Sequence, residues 1–212
     1  LSPLVRRVLA PNPSVFTYTG TQSYIVGRGE VAVIDPGPDL TVHIEALLSA
    51  VPNERIAAIV CTHTHRDHSP ASRALKDATG APIIGCAPLA LVDDGPRADA
   101  EFDWDYAPDR VLGDGEKLSG AGWTLEAVAT PGHTSNHLCF ALPQCGALFS
   151  GDHVMGWSTS IVSPPDGDMG AYRASLDKLL IRDDAVYYPG HGPAVEEPLK
   201  LGGDQGREAD LV

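Results

Sequence analysis

Apolar residues in this chain come in short runs separated by Gly, Pro and Asp. Runs at residues 15–19, 23–26, 30–35, 56–61, 81–86, 110–112, 123–128, 137–142, 147–150 and 186–188 are rich in Val, Ile, Leu and aromatic residues, which predicts strands. Between them, Ile44, Leu47, Leu48 and Val51 fall at helical spacing, with Asp39 or Thr41 as the capping residue and His43 at the surface or boundary. Ala71, Ala74, Leu75 and Ala78 predict a second helix, opened by Ser69-Pro70 and stopped by Gly80. Tyr172, Leu176, Leu179 and Leu180 predict a third. Residues 92–109 are acidic and punctuated by Gly and Pro, with Trp104 and Tyr106 embedded, and read as a surface excursion. A weakly patterned polar tail follows from Glu196, and no internal repeat or low-complexity tract is present.

One polar stretch interrupts this pattern with chemistry. His63-Thr64-His65-Arg66-Asp67-His68 lies between the buried run at 56–61 and the second helix, on a loop held by rigid elements. Four of its six residues can bind a metal. Side chains two apart in extended backbone point the same way. His63 and His65 are thus placed to grip one ion, and the turn into the helix swings Asp67 and His68 toward a second. The same theme recurs elsewhere. An apolar strand ends, a glycine or proline comes close by, and a metal-capable residue sits there: Asp35, His63, His133, Asp152 and His191. Taken singly, Asp35 has a turn former as its competing reading, and His133 or His191 reads first as an ordinary loop histidine. Together they predict one shared rim.

Totals narrow the picture. The 212 residues suffice for one sizeable core or two small ones, and 43% hydrophobic with 20% charged residues are those of a globular chain. No run approaches the ~18 apolar residues of a membrane span, and the first residues, Leu1-Ser2-Pro3-Leu4-Val5-Arg6-Arg7, lack a signal-peptide layout. The formal net charge of −13 disfavours a broad nucleic-acid surface, and two dications would offset only about four of those charges. Cys61, Cys86, Cys139 and Cys145 form no CxxC pair or disulfide framework and read as reduced thiols packed as small hydrophobes. A cytoplasmic or organelle-matrix setting is the corresponding expectation.

The motif His63-Thr64-His65-Arg66-Asp67-His68 resembles the HxHxDH signature of the metallo-β-lactamase fold hydrolases. Pro131-Gly132-His133-Thr134, Ser150-Gly151-Asp152 and Pro189-Gly190-His191-Gly192 resemble that family's later motifs in the same order, and Asp35 resembles its first. The likeness covers roughly residues 12–195. The segments at 131–137 and 163–169 look more narrowly like the β-lactamase-like protein 2 branch, near the glyoxalase II enzymes. The fold this resemblance implies is α/β: a four-layer αβ/βα sandwich of two mixed sheets with helices outside. It implies a catalytic domain over residues 1–195 and a short tail at 196–212, the remnant of a longer helical segment found in relatives.

The resemblance also implies a ligand set. His63, His65 and His133 would hold one zinc, Asp67, His68 and His191 a second, and Asp152 would bridge them, with Asp35 orienting the cluster from behind. Imidazole and carboxylate donors suit zinc, with manganese or iron as the other candidates. The implied activity is a dinuclear zinc hydrolase that uses a metal-bridging hydroxide on a small ester or thioester, with Asp67 orienting or shuttling its proton. A single-stranded RNA endoribonuclease is the rival enzyme, and a true β-lactamase or a non-catalytic zinc protein are the weaker alternatives. Trp157 and the loop ending at Met169 lie between two ligand motifs and are candidate substrate walls; an ordinary surface loop is the competing reading.

Overall fold

The computed structural model describes residues 1–91 and 102–198. Two six-stranded sheets face each other. The first runs in spatial order β1 (Val5–Leu9), β2 (Gln22–Arg28), β3 (Glu30–Ile34), β4 (Arg55–Cys61), β5 (Ile83–Gly85) and β6 (Arg110–Val111). The pairings β1–β2 and β2–β3 are antiparallel and the rest parallel, so the sheet is mixed. The second runs β12 (Val195–Glu196), β11 (Val186–Pro189), β10 (Ala147–Gly151), β9 (Leu138–Leu142), β8 (Trp123–Ala129) and β7 (Lys117–Gly120). Only β10–β11 is parallel in it.

Strand β4 reads as a continuous apolar run because both of its faces are covered; Ile59, Val60 and Cys61 are fully buried. On one face of the first sheet lie α1 (Thr41–Ser49) and α2 (Ala71–Thr79). Outside the second sheet lies α3 (Met169–Leu180), whose Tyr172, Leu176 and Leu179 pack on Val128, Cys139 and Leu148. The layers are therefore helix, sheet, sheet, helix, the sandwich expected above. Between the sheets Tyr24 of β2 packs its ring on Phe149 and Tyr188, with centroids 5.1 and 5.7 Å away. Polar ties cross the same seam: Trp123 Nε1 donates to the Glu30 carbonyl at 2.9 Å and Tyr24 Oη to the Pro189 carbonyl at 2.7 Å.

Several local expectations need correction. Residues 15–19 are no strand: Ser14 Oγ accepts from the Phe16 and Thr17 amides at 3.1 and 3.0 Å, and this side-chain turn captures donors a sheet would need. Helix α1 has neither Asp39 nor Thr41 as its cap; Leu40 occupies that position with no side-chain cap bond. Ser69 likewise does not cap α2, where Pro70 takes the position, while Gly80 closes the helix in the left-handed conformation as predicted. His43 is buried, not at the surface, and its Nε2 lies 2.9 Å from Ser23 Oγ of β2. The region read as a surface excursion places Phe102, Asp103 and Tyr106 inside the fold, although Trp104 is exposed; residues 92–101 of it lie outside the described residues. Of the polar tail, β12 pairs Glu196 with Val186, and residues 199–212 lie outside the described residues.

Candidate metal centre

The loop between β4 and α2 carries the histidine-rich motif, and it is gripped from both sides. Phe102 bridges to His65 and packs its ring 4.7 Å from that imidazole. The Asp103 amide donates to the Thr64 carbonyl at 2.7 Å, while the Asp103 carboxylate accepts from Ser69 Oγ and from Arg73. From the second sheet come His133 after β8, Asp152 after β10 and His191 after β11. The His191 turn is held by β2: the Gln22 amide donates to the Gly190 carbonyl at 2.8 Å, and Gln22 Nε2 donates to the Gly192 carbonyl. Gly190 has no substitute there, since a Cβ would stand 2.5 Å from Asp152 Oδ1 and 2.6 Å from His68 Cε1.

These loops bring the seven expected ligands together in two groups. His63, His65, His133 and Asp152 form one, and Asp67, His68 and His191 the other. His65 Nδ1 lies 3.1 Å from both His63 Nε2 and His133 Nε2. His191 Nε2 lies 3.1 Å from Asp67 Oδ2, and His68 Nε2 lies 3.3 Å from both Asp67 Oδ2 and His191 Nε2. Asp152 stands between the groups, with Oδ1 3.3 Å from His68 Nε2 and Oδ2 3.7 Å from His133 Nε2 and 3.4 Å from His191 Nε2. Ligands ~2.0–2.1 Å from a tetrahedral ion are spaced by roughly 3.3 Å, so these separations suit shared ions.

The hydrogen bonds behind the rings aim their lone pairs inward. Asp35, in a left-handed conformation with φ of 47°, accepts from the Thr62 amide and hydroxyl, each at 2.8 Å, and from His68 Nδ1 at 2.9 Å. Because the Thr62 hydroxyl proton goes to Asp35, its oxygen is left to accept from His63 Nδ1, 2.9 Å away. His133 Nδ1 donates to the Ile161 carbonyl at 2.6 Å, and His191 Nδ1 to that of Gly20 at 3.4 Å. In all four rings Nδ1 holds the proton outside the cluster and Nε2 faces its centre, the arrangement a metal-binding imidazole needs. Asp35, expected to orient the cluster from behind, lies outside both groups and holds His68 Nδ1 and Thr62 through these bonds.

Charge divides the cluster. Burial, followed by neighbouring histidines, holds His63 well below the ordinary imidazole value, and burial with His133 lowers His65 to about 3. Both are neutral donors. Burial also opposes charge on His68, but Asp67, Asp152 and Asp35 outweigh it and raise His68 well above its usual value. His191 is pushed up to about 10, burial again being outweighed by Asp152 and Asp67. Burial would raise Asp67 and Asp152, yet His68 and His191 keep both carboxyls well below the usual range. His68 and His191, which face Asp67 and Asp152, thus collect the positive charge, which dications would supply in place of protons.

Two further residues, outside the expected set, hold candidate ligands in place. His137 is one: its Nε2 accepts from the Asp152 amide at 3.2 Å, and its Nδ1 lies 2.9 Å from Thr130 Oγ1. Thr62 is another, and its place directly before His63 was the available signal. A cavity of about 210 Å³ opens over Asp67, His133, Asp152 and His191, walled by Phe16, Met155 and Ile161 with Ser14, Thr17 and Arg66. Neither Trp157 nor Met169 lines it. Trp157 stacks on Tyr18, with centroids 4.9 Å apart, and packs on Gly192; Met169 opens α3 and is exposed.

A family model described as the metallo-beta-lactamase superfamily matches residues 17–191, the stretch that contains all seven candidate ligands. The chain belongs to the metallo-β-lactamase superfamily. Atrochrysone carboxyl ACP thioesterase AgnL7 of Paecilomyces divaricatus is 35% identical over 201 residues, 92% of this chain and 57% of that protein. A beta-lactamase-like protein 2 homolog of Caenorhabditis elegans is 34% identical over 206 residues, 94% of this chain and 65% of that one. The chain thus spans roughly three-fifths of the length of these metallo-β-lactamase relatives. Among solved structures, TTHA1623 in a di-iron-bound form superposes with a TM-score of 0.71 at 26% identity, covering 93% of this chain and 97% of that one.

Proposed function

We propose that this metallo-β-lactamase superfamily member is a dinuclear metal hydrolase acting on a small ester or thioester. The observation that carries the reading is two adjoining ligand groups, with Asp152 between them, under a small apolar-walled cavity. His63, His65 and His133 would hold one ion, Asp67, His68 and His191 the other, and Asp152 would touch both. When bound, such a pair lowers the pKa of a water toward neutrality and draws charge from a substrate carbonyl. Asp67 lines the cavity and would orient that water and take up its proton. Phe16, Met155 and Ile161 exclude bulk water and receive the apolar part of the acyl group. The thioesterase named among the relatives supports the thioester class. Zinc is the proposed metal from the imidazole and carboxylate donors; iron is the competitor, as the di-iron relative is built on the same fold.

The net charge of −13 speaks against a polyanionic substrate. Metal-analysed protein assayed in parallel on acyl thioesters, a lactam and labelled single-stranded RNA tests the reading. The expected result is close to two metal equivalents, thioester cleavage abolished by chelation, and weak, steeply salt-dependent RNA binding. Cleavage of RNA at physiological salt with thioesters untouched would establish the ribonuclease reading instead.

A further inference from the structure

We propose that Asn12 and Thr21 are positioning residues for Asp67, aiming its carboxylate through a one-way relay of hydrogen bonds. The inference rests on the reading of Asp67 as a metal ligand. Thr21 is fully buried just before β2, and its Oγ1 lies 3.1 Å from Asp67 Oδ2 and 3.0 Å from Asn12 Nδ2. Asn12 Oδ1 accepts from the Thr21 amide at 2.9 Å. That bond fixes the orientation of the side-chain amide, because only its oxygen can accept from an N–H. Its nitrogen therefore faces Thr21 Oγ1 and must donate. The hydroxyl oxygen is occupied as an acceptor, so its single proton goes to Asp67 Oδ2, which has none to give.

This bond differs in kind from the other contacts of Asp67. Its remaining partners, His68 Nε2 at 3.3 Å and His191 Nε2 at 3.1 Å, belong to the same ligand group. A bound ion would take those nitrogen lone pairs, and the contacts would no longer hold the carboxylate. The Thr21 hydroxyl comes from outside the group and persists. It also reaches the cavity wall: the Asn12 carbonyl accepts from Thr17 Oγ1 at 2.5 Å, and Thr17 lines the cavity beside Phe16. The turn that walls the cavity and the residue that aims Asp67 are one hydrogen-bonded unit.

Three variants test the relay, read by competition of zinc between the protein and a chromophoric chelator, with a melting curve for each. Thr21→Val keeps the shape and removes the hydroxyl; Thr21→Ser keeps the hydroxyl. Asn12→Asp keeps the shape but cannot donate, so the Thr21 hydroxyl turns to residue 12 and Asp67 Oδ2 loses its donor. The charge added at residue 12 would by itself tighten dication binding, so a loss there has the sign that only the reversed hydroxyl gives. The expected result is two zinc equivalents in the wild type. One of them is weakened ~10–100-fold in Thr21→Val and Asn12→Asp, and Thr21→Ser stays close to wild type. If Thr21→Val fails to fold, Asn12→Asp carries the test. A wild type that binds two zinc ions, with both variants binding two as tightly even if they melt lower, overturns this inference alone. A wild type that binds one ion or none overturns the functional reading and this inference with it.

Discussion

Asp35 and Asp152 are both aspartates at strand ends, and their surroundings give them different work. Asp35 spends its carboxylate on three donors, two from Thr62 and one from His68. Asp152 receives no hydrogen bond at Oδ1 and sits among the ring nitrogens of His68, His133 and His191. Asn at position 35 would turn an NH₂ toward donors, so Asp35→Asn should tilt His68 and cost ~10–100-fold in metal affinity or turnover. Asp152→Asn replaces a charged carboxylate, able to touch both groups, with one neutral oxygen donor. It should lose one metal and nearly all turnover while the chain stays folded, because the core lies between the sheets. Metal counts, turnover and a melting curve on both variants decide the matter. Near-normal turnover with two metals in Asp152→Asn would remove the bridging role. At this scale the candidate ligands were legible in the sequence because imidazole and carboxylate at strand ends carry chemistry on their face. Thr62, Thr21, Asn12 and His137 were not, since a hydroxyl, amide or lone histidine acquires its role only from what the fold sets beside it.

Among the elements, β3, β4 and β8 to β11 were legible because their buried faces write apolar runs. The strands that escaped, β1, β7 and β12, are sheet edges. Edge strands carry charge that discourages further pairing, and Val-Arg-Arg-Val-Leu of β1 alternates too weakly with buried positions to announce itself. Helix α1 was legible, but not that it presses His43 onto Ser23 and against Gly37, where a Cβ would come within 2.9 Å of the imidazole. Burial lowers His43 to about 4, with the Pro36 backbone opposing. Unfolded, it titrates near ~6.5. Above that value both states are neutral and the contribution to stability is complete. As the pH falls toward 4 the unfolded chain takes up a proton the native one refuses, and stability drops by about 1.4 kcal/mol per unit. In metal-free protein, the stability difference between wild type and His43→Gln should change with that slope between about pH 6.5 and 4. Other titrating groups cancel in the difference. Denaturant unfolding over this range measures it, and a difference flat in pH would refute the buried neutral histidine.

For the whole molecule the decisive fact is where the candidate ligands come from. His63, His65, Asp67 and His68 follow β4 of the first sheet, whereas His133, Asp152 and His191 follow β8, β10 and β11 of the second. Each ligand group draws on both sheets, so an ion held by either group would be coordinated only when the two sheets are in register. Contacts that involve no candidate ligand also close the seam. Tyr24 packs a tilted ring across it, Trp123 bonds across it, and the Leu138 amide donates to the Thr62 carbonyl at 2.9 Å. Metal should therefore add stability to a chain already folded. An ion at 100 times its dissociation constant contributes about 2.7 kcal/mol if the unfolded chain does not bind it. In a domain of this size that raises Tm by about 5–10 °C. Chelation should reverse the shift and leave far-ultraviolet circular dichroism at room temperature unchanged. Hydrogen exchange in the metal-loaded protein should slow together in the His63–His68 loop and in the turns carrying Asp152 and His191, although they belong to opposite sheets. Protection confined to one sheet's loops would show that the ions bind one half alone. A melting point indifferent to metal would show that no ion spans the seam, and the two-group centre would have to be abandoned.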